Sequence, residues 1–190
     1  PPASARAMSP SAPDRMGDGF KYRAFISYSH ADEKWARWLH RTLETYRVPK
    51  RLVGTTTPFG TVPERLAPVF RDREELATST DLGATLTRAL EQSAIQLVIC
   101  SPKAAKSRWV NEEILAFKRF GREARIFALI VDGEPWAIDL PGREAEECFP
   151  EALRLRMGAD GQLTATRSEP IAADVRPGKD GKSSASLKLI

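Results

Sequence analysis

Short apolar runs alternate along the chain with segments in which apolar residues recur at every third or fourth position. Continuous runs of this kind, bounded by polar or turn-forming residues, are typical of buried β-strands. The second run contains Pro68, which favours the edge of a sheet because proline cannot donate a ladder hydrogen bond. Strands that are apolar throughout predict a parallel sheet covered on both faces. The predicted strands are residues 22–28, 66–70, 95–100, 126–131 and 170–176.

Helices are predicted between these strands from the periodic apolar positions. The first follows Asp32, a candidate N-cap residue, and ends before Pro49. Another covers residues 108–120, between a second candidate N-cap, Ser107, and Gly121. Alternating strands and helices predict an open α/β sheet of about five strands with right-handed crossovers. The remaining predicted helices lie near residues 82–90 and 150–157.

Composition divides the chain into three parts. Residues 1–19 are rich in Pro, Ala, Ser and Gly and predict a flexible leader. Residues 20–157 form the expected core domain. Residues 158–190 are expected to add the last strand, followed by a truncated final helix or a linker to a missing C-terminal region. Within the core, residues 47–65 form a long connection with three Pro and two Gly, and such connections are usually functional or mobile.

Size and charge exclude several classes of protein. The 190 residues fit one domain, and 42% hydrophobic with 28% charged residues is typical of a globular protein. The net charge is +4, but both signs are interspersed, so no nucleic-acid partner is expected. No apolar stretch reaches the roughly 18 residues of a membrane span, and the N-terminus lacks a secretory signal pattern. We therefore expect a cytoplasmic segment that does not enter a membrane.

Metal and disulfide chemistry are not expected either. Cys100 and Cys148 are too few for a disulfide framework, and Cys100 ends an apolar run, which predicts a buried thiol. The two histidines, His30 and His40, occur without a CxxC or HExxH pattern, so no metal site is expected.

Several catalytic motifs are also missing. The loop Ser27-Tyr28-Ser29-His30 offers hydroxyls and an imidazole where an open α/β sheet binds ligands, but no GxSxG nucleophile motif accompanies it. A phosphoacceptor receiver domain needs acidic residues directly after its first strand, and they are absent. Gly181-Lys182-Ser183 resembles a phosphate loop, yet Arg176 occupies the required earlier glycine position. No GxGxxG follows a strand.

One carboxylate is unusual for its position in the pattern. Trp109, Glu113 and Phe117 are spaced at i, i+4 and i+8, which predicts that they share one face of a helix. A carboxylate between aromatic residues is unexpected because burying a charge is costly. Two interpretations remain open from the spacing alone. Glu113 is either a residue at the rim of the apolar face, paired with an arginine, or a functional acid.

Five short motifs follow one another along the chain: Phe25-Ile26-Ser27-Tyr28-Ser29, Phe70-Arg71-Asp72, Asp81-Leu82-Gly83, Ser101-Pro102 and Ser107-Arg108-Trp109-Val110-Asn111-Glu112-Glu113-Ile114. In this order and at this spacing they are similar to TIR (Toll/interleukin-1 receptor) domains over residues 20–135, and most similar in character to bacterial modules at the N-terminus of longer proteins. Those proteins often continue into a membrane segment or repeats, so the full-length protein is expected to be cytoplasmic or membrane-anchored.

The resemblance implies a flavodoxin-like five-stranded parallel sheet with helices on both faces. It also implies one of two functions. We expect an NAD⁺ nucleosidase of the glycohydrolase or cyclase type that cleaves the nicotinamide–ribose bond, acting as an antiphage-defence or signalling effector activated by assembly. The alternative is a non-catalytic module for homotypic interaction or for interference with host TIR signalling. NAD⁺ is then a substrate, no cofactor is expected, and the protein partners are other TIR domains.

The resemblance assigns roles residue by residue. The glutamate that distinguishes NAD⁺-cleaving members stands four residues after the tryptophan of the third helix, and here it is Glu113. In the family the BB loop mediates head-to-tail assembly, but its common Pro-Gly pair is not evident in this sequence. The longer 47–65 connection is expected to cover the site or to contact a partner. The implied substrate-binding residues are Phe25, Ser27, Tyr28, Arg71 and Trp109, and the implied BB-loop residues are Asp72, Arg73, Glu74, Glu75 and Leu76.

Overall fold

A single parallel sheet organises the chain. The structure is a computed structural model that describes residues 19–58, 60–71 and 82–189. The strand order is β2-β1-β3-β4-β5, the doubly wound order of flavodoxin-like folds, with all neighbours parallel. The predicted fold class is therefore confirmed. The strands are β1 (Tyr22–Ser27), β2 (Val69–Arg71), β3 (Ser93–Cys100), β4 (Ile126–Ile130) and β5 (Ile171–Asp174).

Helices connect and cover these strands. Both predicted ends of the helix over 108–120 are confirmed, because the Ser107 hydroxyl accepts the Val110 N–H at 3.4 Å and Gly121 has a φ of +73°. The helices are α1 (Glu33–Thr45), α2 (Leu82–Glu91), α3 (Pro102–Ala105), α4 (Arg108–Arg119), α5 (Glu151–Arg154) and α6 (Gly181–Leu189). Short 3₁₀ turns occupy His30–Asp32, Glu123–Arg125, Ala137–Asp139 and Glu144–Glu146.

The two faces of the sheet bury separate apolar cores. Alternate side chains of each strand point to opposite faces, so β1 contributes Phe25 to one core and Ile26 to the other. The first core includes residues of α2, α4 and α5, and we call this side the α4 face. The second core includes residues of α1 and α6, and we call this side the α1 face. This three-layer arrangement leaves the ends of the strands as the places where loops gather.

Two short antiparallel ribbons lie outside the main sheet. Thr56–Thr57 pairs with Gly60–Thr61 inside the long connection, and Leu155–Met157 pairs with Leu163–Arg167. The predicted helix over 150–157 is thus wrong in its second half. The Leu155 carbonyl accepts a 2.6 Å hydrogen bond from the buried ammonium of Lys118, which holds this segment in an extended conformation after α5.

Helix α1 covers the outer edge of β2. The Val69 N–H donates to Glu44 Oε1 at 2.6 Å, and the Val69 carbonyl lies 3.1 Å from His40 Nε2. Both outward backbone groups of Val69 are therefore satisfied by side chains. The predicted edge position of the strand after Pro68 is confirmed, since among the described strands β2 pairs with β1 alone.

Within residues 19–58, 60–71 and 82–189, none of the helices is both long enough and apolar enough to span a bilayer.

Candidate active site

Glu113 lies in the layer between α4 and the sheet. Helix α4 packs on β1 and β3 through Val110, Ile114 and Phe117, which are buried in the first core. Glu113 shares that side of the helix and is only 5% exposed. This burial contradicts the rim position that one of the two interpretations gave to Glu113. A carboxylate at this depth is costly to desolvate, so its presence requires a structural or chemical reason.

Its position along the sheet follows from the direction of α4. The helix starts beyond the carboxyl end of β3 and returns towards the amino end of β4, because consecutive parallel strands need such a crossover. Glu113 is in the second turn of α4, nearer the carboxyl end of the strands. Open α/β sheets bind ligands at that end, beside the point where the strand order reverses between β1 and β3.

Two predicted site residues on β1 share the α4 face with Glu113. Phe25 is fully buried, and its ring stacks on Phe70 with centroids 5.1 Å apart and planes inclined by 22°. Ser27 is the last residue of β1, and its register partner Val98 belongs to the core beneath α4. The structure therefore places Glu113, Phe25 and Ser27 in one layer of the protein.

Gln96 is a buried polar residue that sequence reasoning missed. It is fully buried on β3, in register with Phe25 on the neighbouring strand β1, and its Nε2 donates to Ser27 Oγ at 2.8 Å. This bond fixes the rotamer of the Ser27 hydroxyl at the end of β1. A signal was available, since Gln96 is the one amide in an otherwise apolar predicted strand, and buried amides need hydrogen-bond partners.

Three other predicted site residues lie elsewhere. Tyr28 packs in the core of the α1 face. Arg71 is 7% exposed and in register with Ile26, so it also points to the α1 face. Trp109 is 66% exposed, so it does not share the burial of Glu113, although it lies one turn before it on α4. Positions four apart on a helix are offset by about 40°, and Trp109 stands in the first turn, where the helix leaves the core.

The carboxyl end of β3 carries a second polar pair. The Ser101 hydroxyl donates to Asp32 Oδ2 at 2.6 Å and accepts the Ala104 N–H at 3.0 Å. Burial raises the pKa of Asp32, although the Ser101 hydrogen bond opposes that change. Asp32 occupies the predicted N-cap position of α1, but its side chain makes no cap hydrogen bond because its carboxylate is directed to Ser101. This pair joins the loop after β1 to the start of α3.

The predicted assembly loop begins directly after β2. Its residues 72–76 lie outside the described part of the chain, so the structure neither supports nor contradicts their role. Both thiols are buried, and burial raises the pKa of Cys148 to about 12, which keeps that thiol protonated and unreactive. In the described ranges, no group of three or more His, Cys, Asp or Glu residues is arranged to hold a metal ion.

The sequence matches the model of a known protein family. The model of the family "Thoeris protein ThsB, TIR-like domain" matches residues 25–135, from within β1 to the loop after β4. The chain is a TIR-like domain of this family. The matched span includes Glu113, and the predicted resemblance to bacterial TIR domains is confirmed.

Two individual proteins are similar to the chain. This TIR-like domain is 32% identical over 142 residues to a protein of Actinoplanes sp. named NAD(+) hydrolase ApTIR. The alignment covers 70% of the TIR-like domain and 18% of that protein, so the chain spans less than a fifth of this relative. A solved structure of TIR domains in the activated Roq1 resistosome, which recognises the effector XopQ, matches with 19% identity over 62% of each chain and a TM-score of 0.45. The observed strand order carries the fold assignment.

Proposed function

We propose that this TIR-like domain cleaves NAD⁺ at the bond between nicotinamide and ribose, with Glu113 as the catalytic residue. The observation that carries the proposal is a carboxylate 5% exposed on the face of α4 that packs on β1 and β3. Identity to a protein named NAD(+) hydrolase supports the choice of substrate.

The chemistry needs one well-placed negative charge. When the glycosidic C–N bond breaks, its electron pair moves to the pyridinium nitrogen, and nicotinamide leaves as a neutral molecule without general acid. The ribose carbon is left with oxocarbenium character. The Glu113 carboxylate stabilises that positive charge in a site of low dielectric constant, where such an interaction is strong. Water then attacks the same carbon and loses a proton, which yields ADP-ribose, whereas attack by a second nucleophile of the substrate yields a cyclic product.

Neighbouring residues have supporting roles in this proposal. Ser27 offers a hydroxyl to the ribose, and Phe25 forms the floor beneath the carboxylate. Trp109 is exposed in the first turn of α4, and its ring is available to stack on a substrate ring. Arg71 and Tyr28 point to the other face, so we propose no direct contact of theirs with the sugar.

The decisive experiment measures nicotinamide release from NAD⁺ by the concentrated protein. Glu113→Gln keeps the size of the side chain and removes the charge, so we expect a loss of about 100-fold or more in kcat. The matched control is Glu112→Gln, because Glu112 is the adjacent glutamate and its side chain is exposed. We expect this control to stay within about twofold of the parent protein.

Each outcome decides between the two candidate functions. Activity that survives in a folded Glu113→Gln protein would remove Glu113 from the catalytic role. No nicotinamide from the parent protein at any concentration would favour the non-catalytic interaction module. Equal losses in both variants would show that the effect is not specific to the buried carboxylate.

We further propose that the domain serves antiphage defence and that self-association activates it. The match to a Thoeris ThsB family supports the first part. The second part predicts that specific activity rises with protein concentration, which a dilution series of the nicotinamide assay measures.

A further inference from the structure

A cleft on the α1 face lies at the opposite end of the sheet from Glu113. It has a volume of about 590 Å³, and its floor is formed by side chains near the amino ends of the strands, including Ala24 and Ile95. The C-terminal part of α1 and the end of α6 form two walls, through Leu43 and Leu189. We call this space the amino-end cleft. Its size lies within the range of about 300–1,000 Å³ that is common for small-molecule sites.

The long connection builds the remaining wall. Residues 47–65 contribute nearly half of the lining residues, and they are ordered by the short ribbon and by the bridge between Arg47 and Arg65. One of the two expectations for this connection was that it covers the candidate active site. The structure contradicts that expectation, because the connection lies at the other end of the sheet. It instead encloses a space of its own on the other face of the sheet.

The interior of the amino-end cleft is apolar. Thr55 and Thr57 belong to its lining, but their hydroxyls donate to the Leu52 and Gly60 carbonyls at 2.7 and 2.8 Å. Those hydroxyls are thus used inside the connection. At the mouth, Leu52 is 43% exposed and Leu187 is 63% exposed, so apolar surface continues to the solvent. Such surface gains free energy when an apolar molecule covers it.

The charged side chains that line the cleft are all positive in the described part of the chain. Among the described lining residues, the charged ones are Arg23 and Arg51, and no Asp or Glu is present. Arg51 is exposed and makes no hydrogen bond or ion pair with any other described residue. Its guanidinium can bind a carboxylate with two parallel hydrogen bonds. A ligand with an apolar body and a single anionic group complements both features.

We propose that the amino-end cleft binds a free amphipathic carboxylate, with its hydrocarbon body in the cleft and its carboxylate on Arg51. This site is separate from the NAD⁺ site, and the proposal does not depend on the proposed function. The ligand enters between the long connection and the end of α6.

Calorimetric titration with octanoate, decanoate and dodecanoate, each below its micelle concentration, tests the apolar part. We expect binding of one molecule per chain, with an affinity that rises about fourfold per added methylene until the cleft is filled. Dodecyltrimethylammonium has a similar chain and the opposite charge, and we expect it to bind at least about tenfold more weakly. Equal binding of the cation, or no saturable binding of dodecanoate, would overturn the proposal. Binding to phosphatidylglycerol vesicles without binding of free dodecanoate would also overturn it, because it would indicate a lipid surface.

Paired variants test the position of the charge. Arg51→Glu should weaken dodecanoate binding at least about tenfold, whereas Arg41→Glu, an exposed position on α1 outside the lining, should leave it unchanged. Leu187→Glu should weaken binding, and Leu187→Lys should preserve or strengthen it, although both remove the same leucine. Equal loss in the two Leu187 variants would show that the carboxylate assignment is wrong. Glu113→Gln should not change the affinity, which separates this result from the outcome of the activity assay.

Discussion

The two ends of the parallel sheet are stabilised in different ways. At the carboxyl end, polar side chains tie the loops together, as in the 2.6 Å hydrogen bond between Ser101 and Asp32. At the amino end, apolar residues of the long connection enclose a cleft, and its ion pair between Arg47 and Glu64 is exposed and 4.0 Å long. Directional bonds fix side-chain positions, as catalysis requires, whereas apolar contacts allow a wall to adapt to a ligand. The difference predicts that similar substitutions have unequal effects at the two ends.

The sharpest contrast is expected at two glycines with positive φ. Gly133 follows β4 at the carboxyl end, and a Cβ there would lie 2.5 Å from the Glu146 carbonyl oxygen and 2.7 Å from Pro102 Cγ. Gly133→Ala should lower the free energy of unfolding by about 2–5 kcal/mol, because overpacking adds to the strain of the left-handed backbone. Gly54, in the long connection, has a similar φ of +82° and nothing within 4 Å. Gly54→Ala should cost only about 1–2 kcal/mol.

Urea unfolding of the two glycine variants measures this difference. Equal destabilisation would show that the loop after β4 can move away from the added methyl group. The carboxyl end would then be as adaptable as the amino end, and the comparison would fail.

Arginine substitutions provide the next test. Arg176 follows β5, and its guanidinium donates to Asp174, to Glu134 Oε2 at 2.9 Å and to the Gly133 carbonyl at 2.5 Å. Its side chain is 15% exposed, so Arg176→Met should cost about 2–4 kcal/mol by leaving these acceptors without their donor. The matched amino-end variant is Arg47→Met, whose exposed ion pair should contribute less than about 0.5 kcal/mol. Thermal and urea unfolding measure both losses of stability. Similar losses in Arg176→Met and Arg47→Met would contradict the expected difference between the two ends of the sheet.

The smallest effect concerns pH. Burial raises the pKa of Asp32 above its usual 3.8, so the folded state keeps this proton to a higher pH than the unfolded state does. Asp32 therefore lowers the stability of the parent protein as pH rises from 3.8 through the folded pKa. The unfolding free energy of Asp32→Asn, relative to the parent protein, should rise over that interval and then level off.

Urea unfolding at several pH values between about 3 and 7 measures the Asp32 effect. In Asp132→Asn the same step should occur at lower pH, because the nearby Asp132 charge helps to raise the pKa of Asp32. A difference between Asp32→Asn and the parent that stays constant with pH would show that Asp32 does not titrate within this interval.

Most of the fold was predictable because it depends on periodicity. All five strands of the main sheet lie within or near the predicted segments, and Pro68 marked the edge strand. The ribbon of residues 155–167 was missed, since its strands are short and its extended start depends on a distant contact from Lys118. The basic sequence around Lys118 gave no sign that its ammonium is buried and ion-paired with Glu123 at 2.8 Å.

The candidate site was only partly predictable. Spacing singled out Glu113, and the structure places it in one layer with Phe25 and Ser27. Strand periodicity could have shown that Tyr28 and Arg71 point away from the face of Glu113. Side chains alternate between the two faces of a sheet, so each of these residues points to the face opposite its neighbour in the strand. The Gln96–Ser27 hydrogen bond could not be predicted, since it depends on how two distant strands align.

The side chains that cover β2 limit how copies of this domain can join. An open strand edge recruits another strand through its unpaired N–H and C=O groups, but those of Val69 already bind Glu44 and His40 of the same chain. A second copy of the chain cannot add a strand beside Val69 without first breaking both bonds. Any contact between copies at this position would therefore have to use side chains and loops, which can specify partners more selectively than backbone pairing.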